Sequence, residues 1–161
     1  MKKQPDFRQQ FYDYFGSKPK KVTYSIRSDS NRYHDIVFLN SLIHDARFKR
    51  NIITVRGKKL TIPINRDCWE LGFIKHEKSS ELHIADGNLC ISPVIDFEWR
   101  IGNDVCFNDD FELWIHDLTI ERLSYETLII IIEGDGWSFR IKASDDDFKM
   151  RLQDTETPHI Y

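Results

Sequence analysis

Apolar residues never run for the roughly 18 positions that a membrane-spanning helix needs; the aliphatic block at residues 128–132 stops at Glu133. Cysteine is scarce, and Cys68, Cys90 and Cys106 stand far apart. An odd number at that spacing fits neither a disulfide framework nor paired zinc ligands, so free thiols in a reducing compartment are expected. Cys90 and Cys106 both sit among apolar neighbours and read as core. Lys2 and Lys3 are followed by no apolar stretch, which removes the pattern of an export signal. The expected location is therefore cytoplasmic, with no membrane partner. Gly-x-Ser-x-Gly, a phosphate-binding Walker loop and His-Glu-x-x-His are all missing, and with them the enzyme classes those motifs mark. No cofactor and no metal site are expected.

What the chain does contain is bulk and charge. Aromatic residues make up 13% of it, including eleven Phe and four Trp, ample material for a packed core. At 161 residues it reads as a single domain. The net charge of −3 hides an uneven layout: residues 1–66 carry fifteen Lys and Arg against five acids, and residues 67–161 carry eight against twenty-one. The basic excess peaks between residues 46 and 66, where Arg47, Lys49, Arg50, Arg56, Lys58, Lys59 and Arg66 occur without one acid. Folding can interleave the two halves so that they neutralise each other, or it can leave a basic face opposite an acidic one.

Residues 5–15 carry helix signals: Pro5 suits a first turn, Gly16 a C-terminal stop, and Pro19 prevents continuation. Phe7, Phe11, Tyr14 and Phe15 would share one stripe of that helix, packed on the domain's own sheet or docked on a partner or second subunit. The rest of residues 1–32 reads as linker with a short strand near residues 22–26. A second helix is expected over residues 33–48, with Ile36, Leu39, Ile43 and Ala46 central to its apolar side. At 100° per residue, Asn40, His44 and Arg47 would stand together on the opposite side.

From residue 51 the period becomes twofold. Residues 52–56 and the alternating Leu60, Ile62 and Ile64 read as two strands about a Gly57-Lys58 turn, with Pro63 marking an edge. Asp86-Gly87-Asn88 reads as a hairpin turn. Ile95, Phe97, Trp99 and Ile101 alternate with Asp96, Glu98 and Arg100, a strand wet on one side. Phe111, Leu113 and Ile115 open a strand that changes face at His116-Asp117 on its way to Leu123, which suggests a bulge or bend. Residues 128–132 suit a central strand buried on both faces, joined through Gly134-Asp135-Gly136 to the alternating Trp137, Phe139, Ile141 and Ala143. Phe148, Met150 and Leu152 alternate in a last strand, and residues 155–161 read as a frayed tail. Helices first and strands after, in an unbroken run, predict an α+β protein. It would have two N-terminal helices followed by a mainly antiparallel β meander of about eight to ten short strands, as a partial barrel or a sandwich.

Three places offer chemistry. His34-Asp35, His44-Asp45 and His116-Asp117 superficially resemble the metal motif of the HD phosphohydrolases, an all-helical family. His34 and His44 on one helix would lie about 15 Å apart along its axis, and neighbours on a strand point to opposite faces, so no pair supplies two ligands. Asn40, His44 and Arg47 could instead bind an anion, with His44 as acid or base. Acidic loops at Asn103-Asp104, Asn108-Asp109-Asp110 and Asp145-Asp146-Asp147 could offer oxygen ligands, somewhat like the calcium loops of C2 domains, although no EF-hand spacing is present. The basic segment could track phosphates, but it lacks interleaved aromatic platforms.

The leading reading is a noncatalytic cytoplasmic binding or protein-interaction domain. Its contact surfaces would be the Phe7, Phe11, Tyr14 and Phe15 stripe together with Arg56, Lys58 and Lys59. One alternative is a small enzyme acting on an anionic molecule through His44 and Arg47; another is a nucleic-acid-binding module using residues 47–66.

Overall fold

The computed structural model describes residues 19–28, 32–71, 74–75, 80–103 and 108–160. The expected aromatic helix at residues 5–15 lies outside them. In chain order the first elements are β1 (Thr23–Arg27), helix α1 (Arg32–Ile43), β2 (Arg47–Lys49), β3 (Thr54–Arg56), β4 (Lys59–Asp67), β5 (Ile74–Lys75) and β6 (Ser80–Glu81). Then come β7 (Ile84–Ser92), β8 (Val94–Ile101), β9 (Glu112–Trp114), β10 (Asp117–Ser124), β11 (Thr127–Gly134), β12 (Trp137–Ser144) and β13 (Lys149–Asp154).

These strands make a seven-stranded sheet, ordered β1-β13-β7-β4-β2-β9 with β3 also on β4, and a four-stranded sheet, β10-β11-β12-β8; β5 and β6 pair separately. Every pairing is antiparallel. The protein is thus mainly antiparallel β, with one helix among the described residues and neither sheet closed into a barrel. One apolar core joins the inner faces: Leu60, Ile62 and Ile64 of β4, Leu89 and Ile91 of β7, Leu128, Ile130 and Ile132 of β11, and Phe139 and Ile141 of β12. Each such side chain contributes about 1.5–3 kcal/mol when fully buried. Helix α1 adds Leu39, Leu42 and Ile43 to that core and packs against β1, β4 and β10. The chain changes sheet at Pro93, between β7 and β8, and at Ile115-His116, between β9 and β10.

That second crossing explains the change of face at His116-Asp117: the expected single strand is two strands in different sheets. The hairpin of β11 and β12 forms with Gly134 opposite Trp137. Gly136 takes a φ of 74°, and a Cβ on Gly134 would sit 2.3 Å from the Trp114 carbonyl oxygen. The run in β11 is central, but only one of its faces is buried. Ile129 and Ile131 are half-covered, opposite Lys142 and Arg140 of β12.

Several other expectations are corrected by non-local partners. Asp86-Gly87-Asn88 makes no turn and runs straight through β7. Gly87 is there because β13 comes close, and a Cβ would lie 2.9 Å from the Gln153 carbonyl oxygen. Pro63 does not mark an edge: β4 is interior, and Pro63 falls between the stretches paired with β3 and with β2. A register shift in β8 places Val94 opposite Ala143 and Phe97 opposite Ile141, so Ile95 is displaced outward at a bulge. The tail is bonded where fraying was expected. Thr155 donates its N–H to the Asp86 carbonyl, and His159 exchanges two backbone bonds with Ile84.

Arg66 continues the inward alternation of β4 and is fully buried. Its Nε and Nη2 donate to Asp154 at 2.9 and 2.7 Å, and its Nη1 and Nη2 donate to Glu70 at 3.0 and 2.7 Å. Burial opposes the charge, but the bonds to Asp154 and Glu70 outweigh it and hold the guanidinium protonated more firmly than usual. Asp154 also accepts the Val22 N–H at 2.8 Å, which fastens the start of β1. Replacing Arg66 by Met leaves two buried carboxylates without a cation. Arg66→Met is expected to lower unfolding stability by about 3–5 kcal/mol; a urea midpoint within error of wild type would show that the triad carries no such weight.

Candidate functional site

Helix α1 ends at Ile43 and not at residue 48, because Ala46 returns its N–H to Ile43 and Asp45 adopts a positive φ of 63°. The helical spacing that would gather Asn40, His44 and Arg47 is therefore broken. Asn40 ties α1 to β10: its Nδ2 donates to Asp117 Oδ1 at 2.7 Å and its Oδ1 accepts the Leu118 N–H at 3.0 Å. His44 stands half-exposed just beyond the helix, Nδ1 3.1 Å from Asp45 Oδ2. Arg47 lies on β2, where Nη2 donates to Asn65 at 2.6 Å and to Asp67 at 3.0 Å while the guanidinium rests 5.1 Å from the Trp114 ring centre. Its charge is already answered within the fold. Beside it lies an open depression of about 340 Å³ lined by Pro63, Asn65, Asp86 and Asn88 among others. The Asn65 amide there is bonded on both sides, to Arg47 and to Asp86.

Three acids of two of the acidic loops are engaged in the same way, and Asp104 lies outside the described residues. Asp109 lies 3.9 Å from Arg50, Asp110 accepts from Asn51 at 2.6 Å, and Asp145 accepts from Arg122 at 2.8 Å. His116 pairs with Asp135 across 3.3 Å. Among the described residues no three His, Cys, Asp or Glu side chains are grouped to hold a metal ion.

The basic segment sorts into two sets. Arg47 and Arg66 are bonded to carboxylates, Arg50 lies near Asp109 and over Trp99, and Lys49 stands opposite Glu112. Arg56, Lys58 and Lys59 remain, all exposed, with no ion pair to a described acid. They occupy the tip of the β3–β4 hairpin, whose register sets Arg56 directly opposite Lys59. Gly57 supplies the turn with φ 59°, and nothing lies within 4 Å of where its Cβ would be, so the tip projects into solvent. The Lys58 carbonyl accepts the Val94 N–H at 2.8 Å and fastens the tip to the start of β8. Like charges directly opposite on adjacent strands repel, and here no described neighbour relieves them. The Gly57-Lys58 turn signal already implied this facing pair.

Sequence reasoning missed the buried triad, although Arg66 follows Leu60, Ile62 and Ile64 at the same twofold spacing. It also placed Cys90 in the core, whereas that side chain is half-buried, 3.8 Å from the Thr61 hydroxyl; Cys106 lies outside the described residues. No family model, curated protein or solved structure matches this chain.

Cys68, fully buried beside the triad, has its thiol pushed up to about 12, by burial first and with the Arg66 charge opposing. Above about pH 9 the unfolded chain releases a proton that the folded chain keeps, so this contribution to stability falls as pH rises towards 12. The slope is at most about 1.4 kcal/mol per pH unit. Urea midpoints compared between wild type and Cys68→Ala should converge towards alkaline pH; a constant difference from neutral pH to pH 10 would contradict the assignment.

Proposed function

We propose that the chain is a noncatalytic binding or protein-interaction domain that presents the β3–β4 hairpin to an anionic partner, in the cytoplasm. The observation that supports this reading most is the facing pair Arg56 and Lys59, with Lys58 between them in the turn and no ion pair to an acid among the described residues. A repulsion of this kind costs the folded chain a few tenths of a kcal/mol and is relieved when a partner brings negative charge. The hairpin is held by β7 alongside β4 and by Val94 at its tip, so little ordering is required on contact.

The other two readings have weaker support. An enzyme built on His44 and Arg47 needs a free cation, and Arg47 is committed to Asp67 and Asn65. A nucleic-acid module would rely on the same three hairpin cations, and three phosphate contacts supply a log–log salt slope of only about three. That suits weak, nonspecific contact. The stripe of Phe7, Phe11, Tyr14 and Phe15 stays a second contact surface in this proposal, outside the described residues.

Lys59→Glu separates the two costs. It replaces a repulsive pair by an attractive one, so stability should rise by about 0.2–1 kcal/mol. Affinity for fluorescently labelled poly-L-glutamate, measured by anisotropy at low salt, should fall by about tenfold or more. A variant that is less stable, or that binds poly-L-glutamate as wild type does, would remove the hairpin as the contact surface.

A further inference from the structure

The hairpin borders an apolar flank that the electrostatic reading alone does not use. The segment from Arg50 to Lys58 meets strand β8 at two points, taken in opposite chain order. At one end the Arg50 guanidinium lies 4.9 Å from the Trp99 ring centre; at the other the Val94 N–H meets the Lys58 carbonyl. Between those contacts Val55 is 45% exposed, Ile95 56% and Phe97 42%. Val55 lies opposite Leu60 and Phe97 opposite Ile141, so both belong to the core-facing sides of their sheets. They mark the place where the two sheets part and the core comes to the surface. Among the described residues β3 pairs only with β4 and β8 only with β12, so each sheet presents an edge there.

Charge decides what fits. Arg56, Lys58 and Lys59 stand at one end of the flank, and at the other Arg50 already faces Asp109 across 3.9 Å. The acids of β8 have cations beside them on their own sheet: Glu98 meets Arg100 at 2.9 Å, and Asp96 stands opposite Lys142 of β12. The chain's own residues 1–21 carry Lys2, Lys3, Arg8, Lys18, Lys20 and Lys21 against two acids, the wrong sign for this site. We infer that the flank between β3 and β8 takes an extended segment of another protein in which acidic and apolar residues alternate. Its side chains would point by turns at the hairpin cations and at Val55, Ile95 and Phe97. This rests on the hairpin being the contact surface and names the partner's chemistry.

The test uses the full chain and three labelled probes: a peptide of alternating Glu and Val, poly-L-glutamate, and a peptide of alternating Lys and Val. The Glu-Val peptide should bind about tenfold tighter than poly-L-glutamate, and the Lys-Val peptide should not bind. Val55→Thr and Ile95→Thr, both at exposed positions that leave the core intact, should abolish the advantage of the Glu-Val peptide while poly-L-glutamate binds as before. The inference is overturned if the Glu-Val peptide gains nothing over poly-L-glutamate, if the Lys-Val peptide binds equally, or if neither substitution matters. A concentration-dependent dimer that the same substitutions dissolve would overturn it too, by making a second copy the occupant. Loss of poly-L-glutamate binding in wild type would instead sink the hairpin reading beneath it.

Discussion

The Arg66 guanidinium is shared by Glu70, four residues on, and by Asp154, 88 residues away in the last strand. Around it the fold closes. Asp154 holds the backbone of Val22 at the entry to β1, Glu70 fixes the short 3-10 turn Trp69–Leu71 that follows β4, and Gly87 makes room for β13 to come near. Two carboxylates and one guanidinium in a buried site are tolerable only while their polar atoms have partners. That requirement specifies the register of β13 against β7, and of β1 against β13, more sharply than apolar burial does. Apolar residues accept a slipped neighbour; a bidentate ion pair does not.

From that fixed side the seven-stranded sheet extends towards β2 and β9, and the chain leaves it twice to build the second sheet. The exits at Pro93 and at Ile115-His116 tie the layers together at separate points. Phe48, Trp99 and Trp137 fill the space between them, their rings 5.5–6.3 Å apart. Where β3 and β8 end their respective sheets, Val55, Ile95 and Phe97 reach the surface beside cations. Several cations of residues 1–66 are answered by acids of residues 67–161, as Arg47, Arg50 and Arg66 illustrate. Folding therefore interleaves part of the uneven charge of the two halves, while Arg56, Lys58 and Lys59 of the β3–β4 hairpin stay exposed with no ion pair to a described acid.

Much of this was legible in local pattern. The alternation from Trp137 to Ala143 gave the correct inner face of β12, the run at residues 128–132 gave the middle of a sheet, and Gly57-Lys58 gave the turn that sets Arg56 against Lys59. Legibility failed wherever a distant segment decided the outcome. Gly87 carries the same local signal as a turn glycine, yet its role is set by Gln153 and Asp154. Arg47 sits one turn beyond His44 in helical spacing, yet the Asp45 N–H donates to the Ile115 carbonyl and the Ala46 carbonyl accepts the Ile115 N–H, and the helix cannot continue. Asn40, on an apparent outer face, is turned to β10 by a strand 77 residues later.

The sequence by itself determined the twofold period of the strands, the antiparallel class and the tight turns at Gly57-Lys58 and Gly134-Asp135-Gly136, because these follow from side-chain direction and backbone φ within a few residues. Only the tertiary structure decided which strands become neighbours, where the sheets part, and which of seven clustered cations are left without a counter-charge. Those outcomes depend on partners brought together by loop closure and burial, and a charge has no fixed meaning until the group facing it is known.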